Sequence, residues 1–150
     1  MKKPEINFYE VTNDNFEKVV CSLIEKCYKT GINTLVHTED EGMQEILNKM
    51  LWTFSQKSFI PHGSILDERI EDQPVLISHK TENFNQSKLL VMVAGAYMNP
   101  EEYERVFIVF FNQSEVQKNL ARKIYQDLKA QEHNICIYKQ NITGTWDKNR

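Results

Sequence analysis

Ile6-Asn7-Phe8-Tyr9-Glu10-Val11 and Ile32-Asn33-Thr34-Leu35-Val36-His37 bracket the segment that decides the fold. Each is a short apolar run with polar interruptions, as in a strand. Between them Phe16, Val19, Val20, Leu23, Ile24, Cys27 and Tyr28 recur at helical spacing, which predicts a helix with one buried face. Asp14 and Glu17 stand at capping-box spacing at its start, and Gly31 follows as its C-cap. Strand, helix and strand with short links make a βαβ unit, which implies parallel pairing.

The pattern continues outward from this unit. Thr38 and Glu41 repeat the capping-box spacing before a second helix carried by Met43, Ile46, Leu47, Met50 and Leu51. Asp40 and Glu41 suit the positive end of its dipole. Pro74-Val75-Leu76-Ile77-Ser78 reads as a short strand. Leu89-Leu90-Val91-Met92-Val93 is almost wholly apolar, so it predicts a central strand buried on both faces. Pro100-Glu101-Glu102-Tyr103 suggests a helical turn, and Arg105-Val106-Phe107-Ile108-Val109-Phe110-Phe111 is the most hydrophobic strand. Ser114 and Gln117 cap a long helix that runs to about Gln131. Its core face is Val116, Leu120, Ala121, Ile124 and Leu128. Asn134-Ile135-Cys136-Ile137-Tyr138-Lys139 is the last expected strand, before a charged end. The order βαβα–ββ–βαβ predicts an α/β fold. It is a single-domain Rossmann-like sandwich over 1–150, with a mainly parallel sheet and helices on both faces.

Composition narrows the function. The chain has 150 residues, 41% of them hydrophobic, enough for one domain with a real core. Its formal net charge of −3 argues against direct nucleic-acid binding by the surface as a whole. A local basic patch for an acidic peptide stays open. No stretch approaches the length of a membrane-spanning helix, and Met1-Lys2-Lys3-Pro4-Glu5 lacks the apolar region of a signal peptide. Cys21, Cys27 and Cys136 show no metal-ligand or redox spacing, so buried free thiols in a reducing cytoplasm are expected.

Motifs for chemistry are missing. The link Val11-Thr12-Asn13-Asp14-Asn15 has no glycine with which to cradle a phosphate, and no P-loop or nucleophile elbow occurs. His37, His62, His79 and His133 are scattered. Glu39-Asp40-Glu41 reads as helix N-terminal charge rather than a magnesium site, because no phosphate-binding loop accompanies it. We therefore expect no catalytic residue, cofactor or metal; a degenerate nucleotide-binding enzyme is the alternative.

Two surface features remain. In Leu51-Trp52-Thr53-Phe54-Ser55-Gln56-Lys57-Ser58-Phe59-Ile60-Pro61-His62-Gly63, two aromatics, Trp52 and Phe59, flank a polar linker. They either cap the core or anchor a partner. His62, held in a tight loop by Pro61, is expected to stabilise the turn or touch that partner. On the last helix Lys118, Arg122, Tyr125 and Lys129 fall within roughly 60° of one another, at about 100° per residue. This stripe is either a solvated face or a docking surface, on which Arg pairs a carboxylate and Tyr gives an apolar wall.

Several of these segments together resemble one family. They are Asn7-Phe8-Tyr9, Glu39-Asp40-Glu41, Leu51-Trp52, Ser58-Phe59-Ile60-Pro61-His62, Leu120-Ala121-Arg122 with Tyr125, and Thr145-Trp146. In that order and spacing, over nearly the whole chain, the sequence resembles the chi subunit of bacterial DNA polymerase III. The resemblance implies a non-catalytic α/β adaptor that bridges the psi subunit of the clamp loader and the acidic, phenylalanine-ended tail of single-stranded DNA-binding protein. A repair helicase is an alternative partner at the psi-facing surface. Carried over, Trp52, Phe59, Pro61 and His62 match the psi-facing site. Arg122, Tyr125 and Lys129 match the tail-binding helix, with a pocket wall expected near Phe111. Gln126 stands where a second basic residue is usual, and Glu132 where glycine is common. A lost charge contact of this kind costs on the order of 1–3 kcal/mol.

Overall fold

The computed structural model describes residues 3–12, 15–54, 60–141 and 143–149. Its elements are β1 (Glu5–Val11), α1 (Phe16–Lys29), β2 (Thr34–His37), α2 (Glu41–Thr53), β3 (Gly63–Ser64) and β4 (Val75–Ser78), followed by β5 (Leu89–Val93), β6 (Arg105–Phe111), α3 (Glu115–Ala130), β7 (Ile135–Gln140) and β8 (Trp146–Asn149). A short 3₁₀ turn, Ile70–Asp72, precedes β4. The strands form one eight-stranded sheet in the order β3-β4-β2-β5-β6-β1-β7-β8. Every neighbouring pair is parallel except β7 and β8. The fold is thus the expected α/β sandwich with a mainly parallel sheet.

The expected strand pairing differs in one respect. β1 and β2 share the sheet but are not neighbours; β1 lies between β6 and β7, while β2 lies between β4 and β5. The first βαβ unit therefore steps over two strands that the chain supplies later. β5 fills one of these places, and all five of its residues are buried, as its sequence predicted.

Two apolar layers hold the sheet. On one face Phe16, Val20, Leu23 and Ile24 of α1, with Leu47 and Leu51 of α2, pack on Val36, Ile77, Val91 and Val109. On the other, Ala121, Ile124 and Leu128 of α3 pack on Ile6, Phe8, Val106, Ile108 and Phe110. The clusters separate because side chains alternate across a strand. Three residues expected in the core are outside it: Ile46 is 48% and Val116 69% exposed, and Leu120 is half-buried and in neither layer. In α3 the buried stripe starts later, at Ala121, and Leu120 lies against Gly95. A Cβ built on Gly95 would come within 2.7 Å of Leu120 Cδ1, and its φ of +91° favours glycine in any case.

The helix ends show which capping signals operate. Asp40, not Thr38, caps α2: its side chain accepts from the Met43 amide, and the Thr38 hydroxyl donates to the Asp40 carbonyl oxygen. Ser114 caps α3 by accepting from the Gln117 amide. Gly31, at φ +78°, follows the α1 cap residue Thr30. Asp14 lies outside the described residues. The Pro100–Tyr103 segment closes as a single turn, the Tyr103 amide donating to the Pro100 carbonyl oxygen at 3.0 Å. Cys21 and Cys27 are buried, and burial pushes both thiols up to about 12. Cys136 is only half-buried, contrary to expectation, because it lies on β7 near the sheet edge.

His37 makes the fold sensitive to acid. It ends β2 and is 4% exposed. Burial holds its pKa below the ordinary 6.5, partly offset by backbone groups of Lys80, Tyr97 and Ser78. The folded state therefore binds this proton more weakly than the unfolded chain does. The stability this gives is fully present above pH 6.5 and falls as the pH drops below it. Urea unfolding from pH 7.5 to 5 should show a declining acid limb, and His37→Asn should flatten it.

Candidate functional site: a groove beside α3 and a second surface at the end of α2

α3 rises from its Ser114 cap with Ala121, Ile124 and Leu128 turned into the sheet. The small Ala121 lets the helix lie close to the strands. The adjoining flank carries the basic stripe. Phe8 and Glu10 of β1, Phe110 of β6, Ile137 of β7 and Lys118, Ala121, Arg122 and Tyr125 of α3 enclose a groove of about 250 Å³. Phe8 and Tyr125 meet edge to face at 5.8 Å between ring centroids. The Lys118 ammonium is 3.4 Å from a Glu115 carboxylate oxygen. Arg122 is exposed and has no carboxylate partner among the described residues. Lys129 stands outside the lining, with its ammonium 5.7 Å from the Tyr125 ring centroid. Chemically this is an apolar slot with an available guanidinium on its rim. Such a slot suits a ligand that joins an aromatic or aliphatic side chain to a carboxylate.

The structure brings together Arg122 and Tyr125, keeps Lys129 at the margin and takes Phe111 away. Phe111 faces the other layer, where its ring lies 5.7 Å from that of Phe16. Its neighbour Phe110 makes the groove wall, since a shift of one residue in a strand reverses the face. Phe8, Glu10, Phe110 and Ile137 are lining residues that the helical stripe alone does not reveal. The signal for them is the two-residue alternation of β1, β6 and β7.

The second surface is at the end of α2. Trp52 is 53% exposed, and its ring centroid lies 4.4 Å from that of His62. His62 is itself buried. Its Nδ1 lies 2.7 Å from the Ile60 carbonyl oxygen and its Nε2 2.8 Å from that of Asn48. The imidazole thus ties the loop to the helix and supports the indole. Pro61 is half-buried beside it, and Phe59 lies outside the described residues. α2 rests on β3 and β4, whereas the groove floor is β1 with its neighbours β6 and β7 on the opposite face. From β4 to β1 is four strand spacings, roughly 19 Å. Among the described residues no helix is long and apolar enough to cross a membrane.

An exposed tryptophan thus lies on one face of the sheet and a cationic, apolar groove on the other. The model of the DNA polymerase III chi subunit (HolC) family matches residues 3–136. A probable DNA polymerase III subunit chi of Rickettsia prowazekii is 35% identical over 150 residues, 96% of this chain and 91% of the relative. The chi subunit of Pseudomonas aeruginosa is 32% identical over 74 residues, about half of each chain (49% and 51%). That of Haemophilus influenzae is 23% identical over 132 residues, 85% of this chain and 92% of the relative. The chain belongs to the DNA polymerase III chi subunit family. It is accordingly an accessory subunit with partners inside the polymerase complex.

Proposed function

We propose that the chain is a non-catalytic bridge in the cytoplasmic replicase. One surface binds the psi subunit of the clamp loader, and the other binds the acidic tail of single-stranded DNA-binding protein. The observation that carries the tail reading is the groove itself: Arg122, without a carboxylate partner among the described residues, beside an apolar floor of Phe8, Phe110 and Ile137. A terminal phenylalanine supplies both an aromatic ring and a carboxylate on one residue. The psi reading rests on exposed Trp52, braced by His62, with half-buried Pro61 beside them. Its place on the opposite face from the groove favours simultaneous docking.

Calorimetric titration with an acidic peptide ending in phenylalanine tests the tail reading. Binding should weaken as salt rises and largely disappear when the terminal carboxylate is amidated. Binding unchanged by amidation would remove the carboxylate from the account, and with it the reading.

A further inference from the structure

The groove suits an anionic ligand, yet one of its walls is an anion. Glu10 follows Ile6 and Phe8 on the α3 face of β1. Its register partners are Phe110 on β6 and Lys139 on β7. Glu10 Oε2 accepts from Asn112 Nδ2 at 3.0 Å and lies 3.7 Å from the Lys139 ammonium. Its side chain is 22% exposed. Lys139 and Asn112 hold the carboxylate in place and offset part of its charge without covering it.

We propose that Glu10 sets the specificity of the groove, a proposal that rests on the tail reading above. A second carboxylate entering the half-desolvated floor meets the fixed charge of Glu10 and is repelled. Ligand carboxylates are thereby confined to Arg122 on the helix side. The floor of Phe8, Phe110 and Ile137 is left to an uncharged side chain. Glu10 thus acts by exclusion: it adds little to binding of the right peptide and rejects one with an acidic residue at the pocket position.

The test compares an acidic peptide ending in phenylalanine with the same peptide ending in aspartate, both titrated at low salt. Glu10→Gln preserves shape and can still accept from Asn112. It should narrow the discrimination between the peptides by about three- to fivefold, chiefly by tightening the aspartate-ended one. Glu68→Gln removes the same charge from an exposed, distant loop and should not narrow it. Lys139→Met, which leaves Glu10 less compensated, should widen it. The proposal is overturned if Glu10→Gln discriminates like the parent while Arg122→Ala still weakens the phenylalanine-ended peptide; the tail site then stands without it. If Arg122→Ala leaves both peptides unaffected, the tail reading fails and the specificity role falls with it.

Discussion

Arg122→Ala is expected to weaken binding of the phenylalanine-ended acidic peptide by about ten- to a hundredfold. A hydrogen-bonded charge contributes roughly 1.5–3 kcal/mol, and each 1.4 kcal/mol is a factor of ten. The effect belongs at the upper end because Arg122 has no carboxylate partner among the described residues. Its charge is not already spent inside the protein. Lys118 shares its charge with Glu115, so Lys118→Ala should cost less. The side chain of Arg122 is exposed, and the buried stripe of α3 does not depend on it. Thermal unfolding of the variant should therefore match the parent. Equal peptide affinity in both proteins would move the binding site elsewhere.

Trp52→Ala should act on the other partner alone. Exposed tryptophans that become buried in an interface commonly carry 2 kcal/mol or more, about a thirtyfold loss on truncation. The rigid support from buried His62 pre-orders the indole, which favours an anchor of this kind. Capture of psi on the immobilised chain should collapse, while the peptide titration stays at the parent value because the groove lies four strand spacings away. Undiminished psi capture would remove Trp52 from the interface. A helicase lost from the same pulldown in place of psi would identify the other user of this surface.

Local periodicity was enough to place the three helices and the longer strands, because each buries its own apolar stripe. Pairing was not legible in the same way. Nothing near Val11 or Ile32 tells the chain that β5 and β6 will lie between β1 and β2; that choice belongs to residues far along the sequence. The two-residue β3 and the strand Trp146–Asn149 lack an apolar run and exist through their neighbours β4 and β7. In α2 and α3, Ile46 and Val116 satisfied the helical period, but the contacts with the sheet are narrower than the period allows. The cationic half of the groove was visible as a stripe. Its floor was not, because Phe8, Phe110 and Ile137 come from three strands, and the choice between Phe110 and Phe111 turns on the face each one takes.

The position of β1 also governs synthesis. Its two partners begin at Arg105 and Ile135, so pairing of Glu5 with Arg105 waits for 100 further residues. At ribosomal rates of about 5–20 residues per second, that delay is roughly 5–20 s. During this time Ile6 and Phe8 have no sheet to enter. The middle of the molecule thus closes only when the last third of the chain emerges. A nascent chain stalled before β6 presents an apolar amino-terminal segment as a binding site for chaperones.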